Sequence, residues 1–148
     1  MLKVCRRMPE IPFVFVGSGP MEEEINKVEN ITNKGFLSGE KLQQIIGEAR
    51  FSVIPSECYE NCPFSVMESQ IYGTPVLGAN LGGIPELISD GETGELFTSK
   101  NEQELYAKIY ELWHNKEKTD RYIENCRNVT FDTAEKYCEK ILKIYGDK

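Results

Sequence analysis

The sequence is short of positive charge, of histidine and of long apolar runs, and each shortage removes a class of function. Among 148 residues, 17 Lys and Arg stand against 24 Asp and Glu, a net charge of -7. A surface of that sign disfavours nucleic acid or an anionic membrane as a partner of this segment. A small anion still has a place, because helix N-termini act locally and contribute about 0.3 to 1 kcal/mol each. The single histidine, His114, stands far in sequence from Cys58 and Cys62, which have no second cysteine pair, so no metal site is expected. Five cysteines at irregular spacing point to reduced thiols in the cytoplasm rather than a disulfide framework. No apolar run is long enough for a transmembrane segment. The opening MLKVCRRMPE turns charged before a signal-peptide core develops, so Asn128 in Asn-Val-Thr is not expected to be glycosylated. Internal repeats, low-complexity tracts and heptads are also absent.

What is present reads as one α/β domain over residues 1–148, large enough for a sizeable core at 40% apolar and 28% charged residues. Leu2, Val4, Cys5 and Met8 read as the tail of a helix that Pro9 stops. A parallel sheet normally carries a strand before such a helix, so the first strand is expected to be missing or to belong to an upstream segment. IPFVFVG is then a strand apolar enough to be covered on both faces. The GSGP turn follows, with Pro20 suited to the first position of a helix over MEEEINKV. Gly17 and Gly19 could cradle a phosphate, close under a sugar or simply turn the chain. No Gly-Lys-Ser/Thr follows them as in a Walker A loop, and the third glycine of a dinucleotide fingerprint is absent.

ITNKGFL reads as a strand, and Ser38 as a cap for a helix burying Leu42, Ile45 and Ile46. FSVI then ends in a polar loop carrying Glu60, and Pro63 opens a further helix. In that helix Phe64, Met67, Glu68 and Ile71 fall at i, i+3, i+4 and i+7, the spacing of a core-facing stripe. Glu68 therefore stands on a face that should be apolar, where an unpartnered carboxylate costs several kcal/mol or takes up a proton. Either it caps a neighbouring loop at the edge of the stripe, or it faces a cleft and binds ligand hydroxyls. PVLGA is the next strand, and Gly82 and Gly83 precede IPELI as a helix-entry turn. This succession is typical of an open α/β sheet with its ligand site at the carboxyl ends of the strands. GETGELF is a turn and a short extended piece. Asn101 caps a helix burying Leu105, Ile109 and Leu112, and His114 at its end faces the carbonyls of the last turn. Two polar-faced helices close the chain, the second capped by Asp132. Its Ala134, Tyr137, Ile141, Leu142 and Tyr145 would pack on the sheet or on something outside this chain.

In this order the motifs resemble the carboxyl-terminal, donor-binding domain of the family 4 (GT4) retaining glycosyltransferases, which have the two-domain GT-B fold. The resemblance covers essentially the whole chain. Its most specific part is ENCPFSVME, in which Glu60 and Glu68 match the family's E-x7-E motif, flanked by GSGP, GFLSGEKLQQII and GTPVLGANLGGIPELISDGETGELF. It implies a three-layer, Rossmann-like parallel sheet flanked by helices. It also implies a UDP- or GDP-sugar donor, no metal and no further cofactor. Glu68 looks like the ribose anchor and Glu60 like the catalytic candidate beside the transferred sugar. The backbone of Asn61, Cys62, Pro63, Phe64 and Ser65 looks like the turn that meets the sugar and diphosphate. Gly17 and Gly19 would line the cleft, and the backbone at Phe36 and Leu37 would meet the base. The Gly82, Gly83 turn matches no donor-contact motif so specifically.

The family's phosphate-neutralising Arg and Lys come from a loop upstream of the first helix, and no residue here matches them. The acceptor-binding amino-terminal domain is not in the sequence either. The expectation is a partial chain of a longer cytoplasmic enzyme, peripheral at the inner membrane face through the missing domain and inactive alone, acting in full length on a glycan or lipid-linked acceptor. The rivals are a GT-B-type sugar-nucleotide epimerase or phosphorylase, and a noncatalytic module that binds nucleotide or protein.

Overall fold

In the computed structural model, which describes residues 1–146, strands and helices alternate along the chain. Helix α1 (Leu2–Arg6) leads to β1 (Phe13–Phe15), α2 (Glu22–Ile25) and β2 (Ile31–Asn33). Then follow α3 (Glu40–Glu48), β3 (Ser52–Ile54), α4 (Phe64–Ile71), β4 (Val76–Ala79), α5 (Ile84–Leu87) and β5 (Gly94–Phe97). Three helices close the described chain: α6 (Glu102–His114), α7 (Lys116–Cys126) and α8 (Ala134–Gly146). All strand pairing is parallel, as expected where helical crossovers join successive strands. The sheet is divided: β1 pairs with β2, and β3, β4 and β5 form a second set in that order.

β4 is buried along its whole length, as its apolar sequence requires. β1 is not, contrary to the expectation of cover on both faces. Phe13 points into the core at 9% exposure while Val14 is 50% exposed, because alternate residues of a strand face opposite sides and nothing covers the second one here. One apolar cluster joins the early segment (Val4, Met8, Ile11) to Leu77 of β4, to Leu105, Ile109 and Leu112 of α6 and to Tyr122 of α7. Full burial of each such aliphatic side chain contributes about 1.5 to 3 kcal/mol. Asn30, a residue with no signal in the sequence pattern, ties α1 to β2. Its Nδ2 donates to the carbonyls of Cys5 (3.0 Å), Met8 (2.7 Å) and Ile11 (2.9 Å), the first two of which also accept from the backbone N–H groups of Met8 and Ile11.

The helix ends follow the sequence in part. Asn101 caps α6, its Oδ1 accepting from Glu104 N–H at 3.1 Å. Asn115 ends α6 and caps α7 through Lys118 N–H at 3.0 Å. Ser38 does not cap α3: Gly39, at φ +60°, holds that position without a side-chain bond, and a left-handed backbone there suits glycine. Pro20 lies before α2 rather than in its first turn, since the helix begins at Glu22. Asp132 pairs with Lys140 instead of capping α8, and Thr133 Oγ1 accepts from Lys136 N–H at 3.4 Å. α8 does not pack on the sheet: Tyr137, Leu142, Ile144 and Tyr145 are all exposed, and only Ile141 is half-buried.

Candidate functional site

Every loop that the sequence marks as a ligand loop leaves the carboxyl end of a parallel strand. After β3, the segment from Pro55 to Pro63 carries Glu60, half-buried between exposed neighbours Tyr59 and Asn61. Ser56 Oγ donates to Glu60 Oε1 at 2.6 Å, and Ser99 Oγ, from the loop after β5, donates to Ser56 O at 3.1 Å. The turn after β4 arrives from the other side, with Gly83 N–H donating to Glu60 O at 2.7 Å. Three successive loops thus meet around the segment from Ser56 to Glu60.

α4 begins at Phe64 with Pro63 at its cap position, as read from the sequence, but its buried face is not the expected one. Val66, Ser69 and Gln70 point inward, while Phe64 is 72% and Ile71 56% exposed, Met67 is half-buried and Glu68 lies on the outer side. The apolar count misled because the inward polar groups are satisfied. Ser69 Oγ bonds to Ser52 Oγ at 2.9 Å and to Ser65 O at 2.8 Å, and Gln70 Nε2 donates to Leu87 O at 2.7 Å. Glu68 is therefore an exposed carboxylate beside exposed aromatic surface. Among the described residues its side chain makes no hydrogen bond or ion pair with the protein. Cys62, also exposed, places its Sγ 3.7 Å from Met67 Sδ.

The second group of candidates is gathered by the β1–β2 pair. Gly17 N–H donates to Gly35 O at 2.8 Å, which brings the Gly17, Gly19 turn against the loop of Phe36 and Leu37. Gly17 has φ +131°, and Phe36 is 74% exposed. No hydrogen bond among the described residues links this group to the Glu60 group. Two shallow surface recesses, one lined by Tyr110, His114 and Lys116 and the other by Gly47, Tyr72 and Arg127, include none of these candidates. His114 bonds through Nδ1 to Tyr110 O at 2.9 Å and stacks on that ring, a helix-end role. No group of three His, Cys, Asp or Glu among the described residues is placed to hold a metal ion.

One ionised cluster had no signal in the sequence. Glu95 on β5 is 4% exposed and is bonded to Lys108 of α6 at 2.8 Å and to Lys118 of α7, with Tyr122 Oη donating at 3.3 Å. Burial opposes its charge, yet the hydrogen bonds and attraction of the two lysines outweigh burial and hold the carboxyl below its ordinary range. Burial likewise opposes the Lys118 charge, and its bonds to Glu111 and Glu95 override that and hold its proton more tightly than usual. Cys5 and Cys126 are buried thiols that desolvation pushes up to about 11, so they are core groups rather than nucleophiles.

Comparison with known proteins gives this arrangement its family. The profile described as "Glycosyl transferases group 1" matches residues 1–129. The chain belongs to that family. It is 32% identical over 120 residues to sulfoquinovosyl transferase SQD2 of Arabidopsis thaliana, covering 77% of this chain and 23% of that protein. It is 26% identical over 130 residues to α-D-kanosaminyltransferase of Streptomyces kanamyceticus, covering 83% of this chain and 33% of that one. The chain therefore spans about a quarter to a third of these relatives. In fold it superposes on Anabaena HepE, whose structure contains UDP, with a TM-score of 0.82 and 19% identity over 98% of this chain and 44% of that one. S. aureus TarM, in a complex that includes UDP, gives 0.82 and 20% over 97% and 31%. The fold is thus the α/β, Rossmann-like arrangement of a GT-B-type glycosyltransferase domain.

Proposed function

We propose that this group 1 glycosyltransferase domain is the carboxyl-terminal, donor-binding half of a retaining, GT4-type enzyme whose substrate is a UDP- or GDP-sugar. The observation that carries the reading is the pair Glu60 and Glu68 on either side of the β3-to-α4 turn, one held by Ser56 and the other with no side-chain partner among the described residues. An exposed carboxylate with unused acceptor capacity fits the two hydroxyls of a ribose, the role given to Glu68. Glu60, on the loop that precedes the helix, takes the sugar side, and the Asn61–Ser65 backbone takes the diphosphate. Gly17 and Gly19 line the cleft, and Phe36 and Leu37 meet the base.

In the reaction the bond from the anomeric carbon to the diphosphate breaks and its electron pair leaves with the phosphate oxygen. The acceptor hydroxyl attacks from the same face and its proton passes to the departing oxygen. The protein's part is to position the reactants and to stabilise the charge that develops on the leaving group. The cations for that charge are assigned to a loop of this same domain upstream of α1, and the second wall of the cleft to the amino-terminal domain of a longer polypeptide, so the 148-residue chain alone does not transfer sugar. The acceptor is a glycan or lipid-linked intermediate, and the setting is cytoplasmic, at the inner membrane face.

The test is a donor screen on the complete polypeptide with the stereochemistry of the product recorded. Retention with a UDP- or GDP-sugar is expected, with E60A binding nucleoside diphosphate normally while transfer falls about 100-fold or more. Epimerised donor, phosphorolysis, or a protein that binds nucleotide without turnover would replace the transferase reading. Full activity in both E60A and E68A would remove the site assignment.

A further inference from the structure

We propose that Gly82 and Gly83, with Ser56 and Ser99, are the positioning residues that fix Glu60 for its part in transfer, which rests on the sugar-side reading of Glu60 above. The β4-to-α5 turn does more than start a helix. A Cβ at Gly83 would lie 2.0 Å from Asn61 O and 2.9 Å from Asn61 C. A Cβ at Gly82 would lie 2.5 Å from Glu60 O, 2.8 Å from Glu60 N and 3.3 Å from Tyr59 Cα. Every obstructing atom is backbone, so nothing can rotate away, and the two loops approach as bare main chain. Gly82 also has φ +60°, which a side chain would strain.

The same loop is held from the opposite side through side chains. Ser56 donates to the Glu60 carboxylate at 2.6 Å, and Ser99 donates to Ser56 O at 3.1 Å. Backbone contact thus places the Glu60 peptide, the Ser56 hydroxyl orients its carboxylate, and the Ser99 hydroxyl holds the Ser56 backbone. Without them Glu60 sits on an irregular segment whose neighbours Cys58, Tyr59, Asn61 and Cys62 are exposed. A reacting group displaced by an ångström loses much of its effect, so the seat bears on turnover more than on donor affinity.

Two other glycines separate this role from plain folding. A Cβ at Gly78 would meet the side chains of Ile88 (Cδ1 at 2.5 Å) and Ile84 (Cγ2 at 2.7 Å), and no atom of the Glu60 loop is among its three nearest neighbours. Gly91 shares the left-handed backbone at φ +79° but has open space around it. G78A therefore reports core crowding and G91A backbone strain, each without touching Glu60.

In the complete polypeptide, with UDP-glucose and GDP-mannose as probes, S56A and G83A are expected to lower kcat at least tenfold; S56A leaves the donor KM within about threefold, whereas G83A also raises it because its Cβ presses on Asn61. Ser56→Thr, which keeps the hydroxyl, is expected to restore most of the rate. G78A and G91A should lower Tm with little change in either constant. Hydrogen exchange without donor should show residues 56–62 exchanging at least tenfold faster in S56A and G83A. Unchanged exchange there overturns the proposal whichever donor is used, as does a kcat loss that G78A and G91A match. If E60A abolishes transfer while S56A and G83A keep full rate, the seat fails and the Glu60 reading stands. If E60A keeps full rate, both fall.

Discussion

Two acidic regions of the domain meet the cost of a carboxylate in opposite ways. Glu95, under α6 and α7, is almost wholly buried and is charged because Lys108, Lys118 and Tyr122 surround it. Glu68, on the outer face of α4, avoids the cost by remaining in solvent, and Glu60 stands between the two with one hydroxyl donor. The difference separates a structural acid from acids that can receive a ligand. A carboxylate whose acceptor positions are filled by the protein has little left for a substrate. Perturbed ionisation often marks functional sites, but it does so for ion-pair networks too, and Glu95 is held below its ordinary range by such a network.

The sharpest way to break the comparison is to remove each acid in turn. E95A is expected to cost about 3 kcal/mol, near the low end for an opened buried pair because the two lysines still reach solvent. E68A should stay within about 0.5 kcal/mol of the parent. Equal denaturant midpoints for the two variants would end the distinction. In binding the order reverses: E68A should weaken UDP or GDP affinity of the complete polypeptide about 10- to 100-fold, the value of charge-assisted hydrogen bonds to a ribose. Calorimetry showing unchanged affinity would take the ribose from Glu68.

The same contrast has a pH signature. Glu95 has a lower proton affinity folded than unfolded, so its contribution is complete above its ordinary value of 4.5 and is lost as pH falls through the lower folded value. Lys118 has the opposite sign: its contribution is complete below its ordinary value of 10.5 and is lost as pH rises past the higher folded value. The stability gap between the parent and E95A should therefore be widest between those limits and shrink in acid, as urea midpoints against pH would show. A gap independent of pH would mean that packing, not charge, holds α7 to β5. The smallest effects concern helix ends. N101A should cost about 1 kcal/mol for the lost cap of α6. D132A should change stability by less than about 0.5 kcal/mol, since its pair with Lys140 is exposed.

The order of elements was legible in the chain because each depends on neighbours in sequence: Pro63 before α4, Asn101 before α6, Pro9 after α1, and the apolar runs of β3 and β4. The candidate loops were legible because a strand followed by a glycine-rich or polar turn and a helix start is a local pattern. The facing of α4 was not. Its apolar residues mark one side, but Ser69 and Gln70 are buried on another because Ser52 and Leu87, 17 residues away in each case, satisfy them. An acid on an inward face needs partners, but Glu68 is exposed and has no such need. The acid that does face inward is Glu95, whose lysines lie 13 and 23 positions further along and leave no periodic trace.

By itself, then, the sequence determined the α/β alternation, the loops at the strand ends and the pair Glu60 and Glu68, since these follow from local propensity and from motif spacing. Only the tertiary structure decided that the parallel strands form two sets, that Glu68 faces outward, and that Gly82 and Gly83 touch the Glu60 backbone. Those depend on contacts between distant segments, where burial and hydrogen-bond satisfaction are settled by what arrives from elsewhere in the chain.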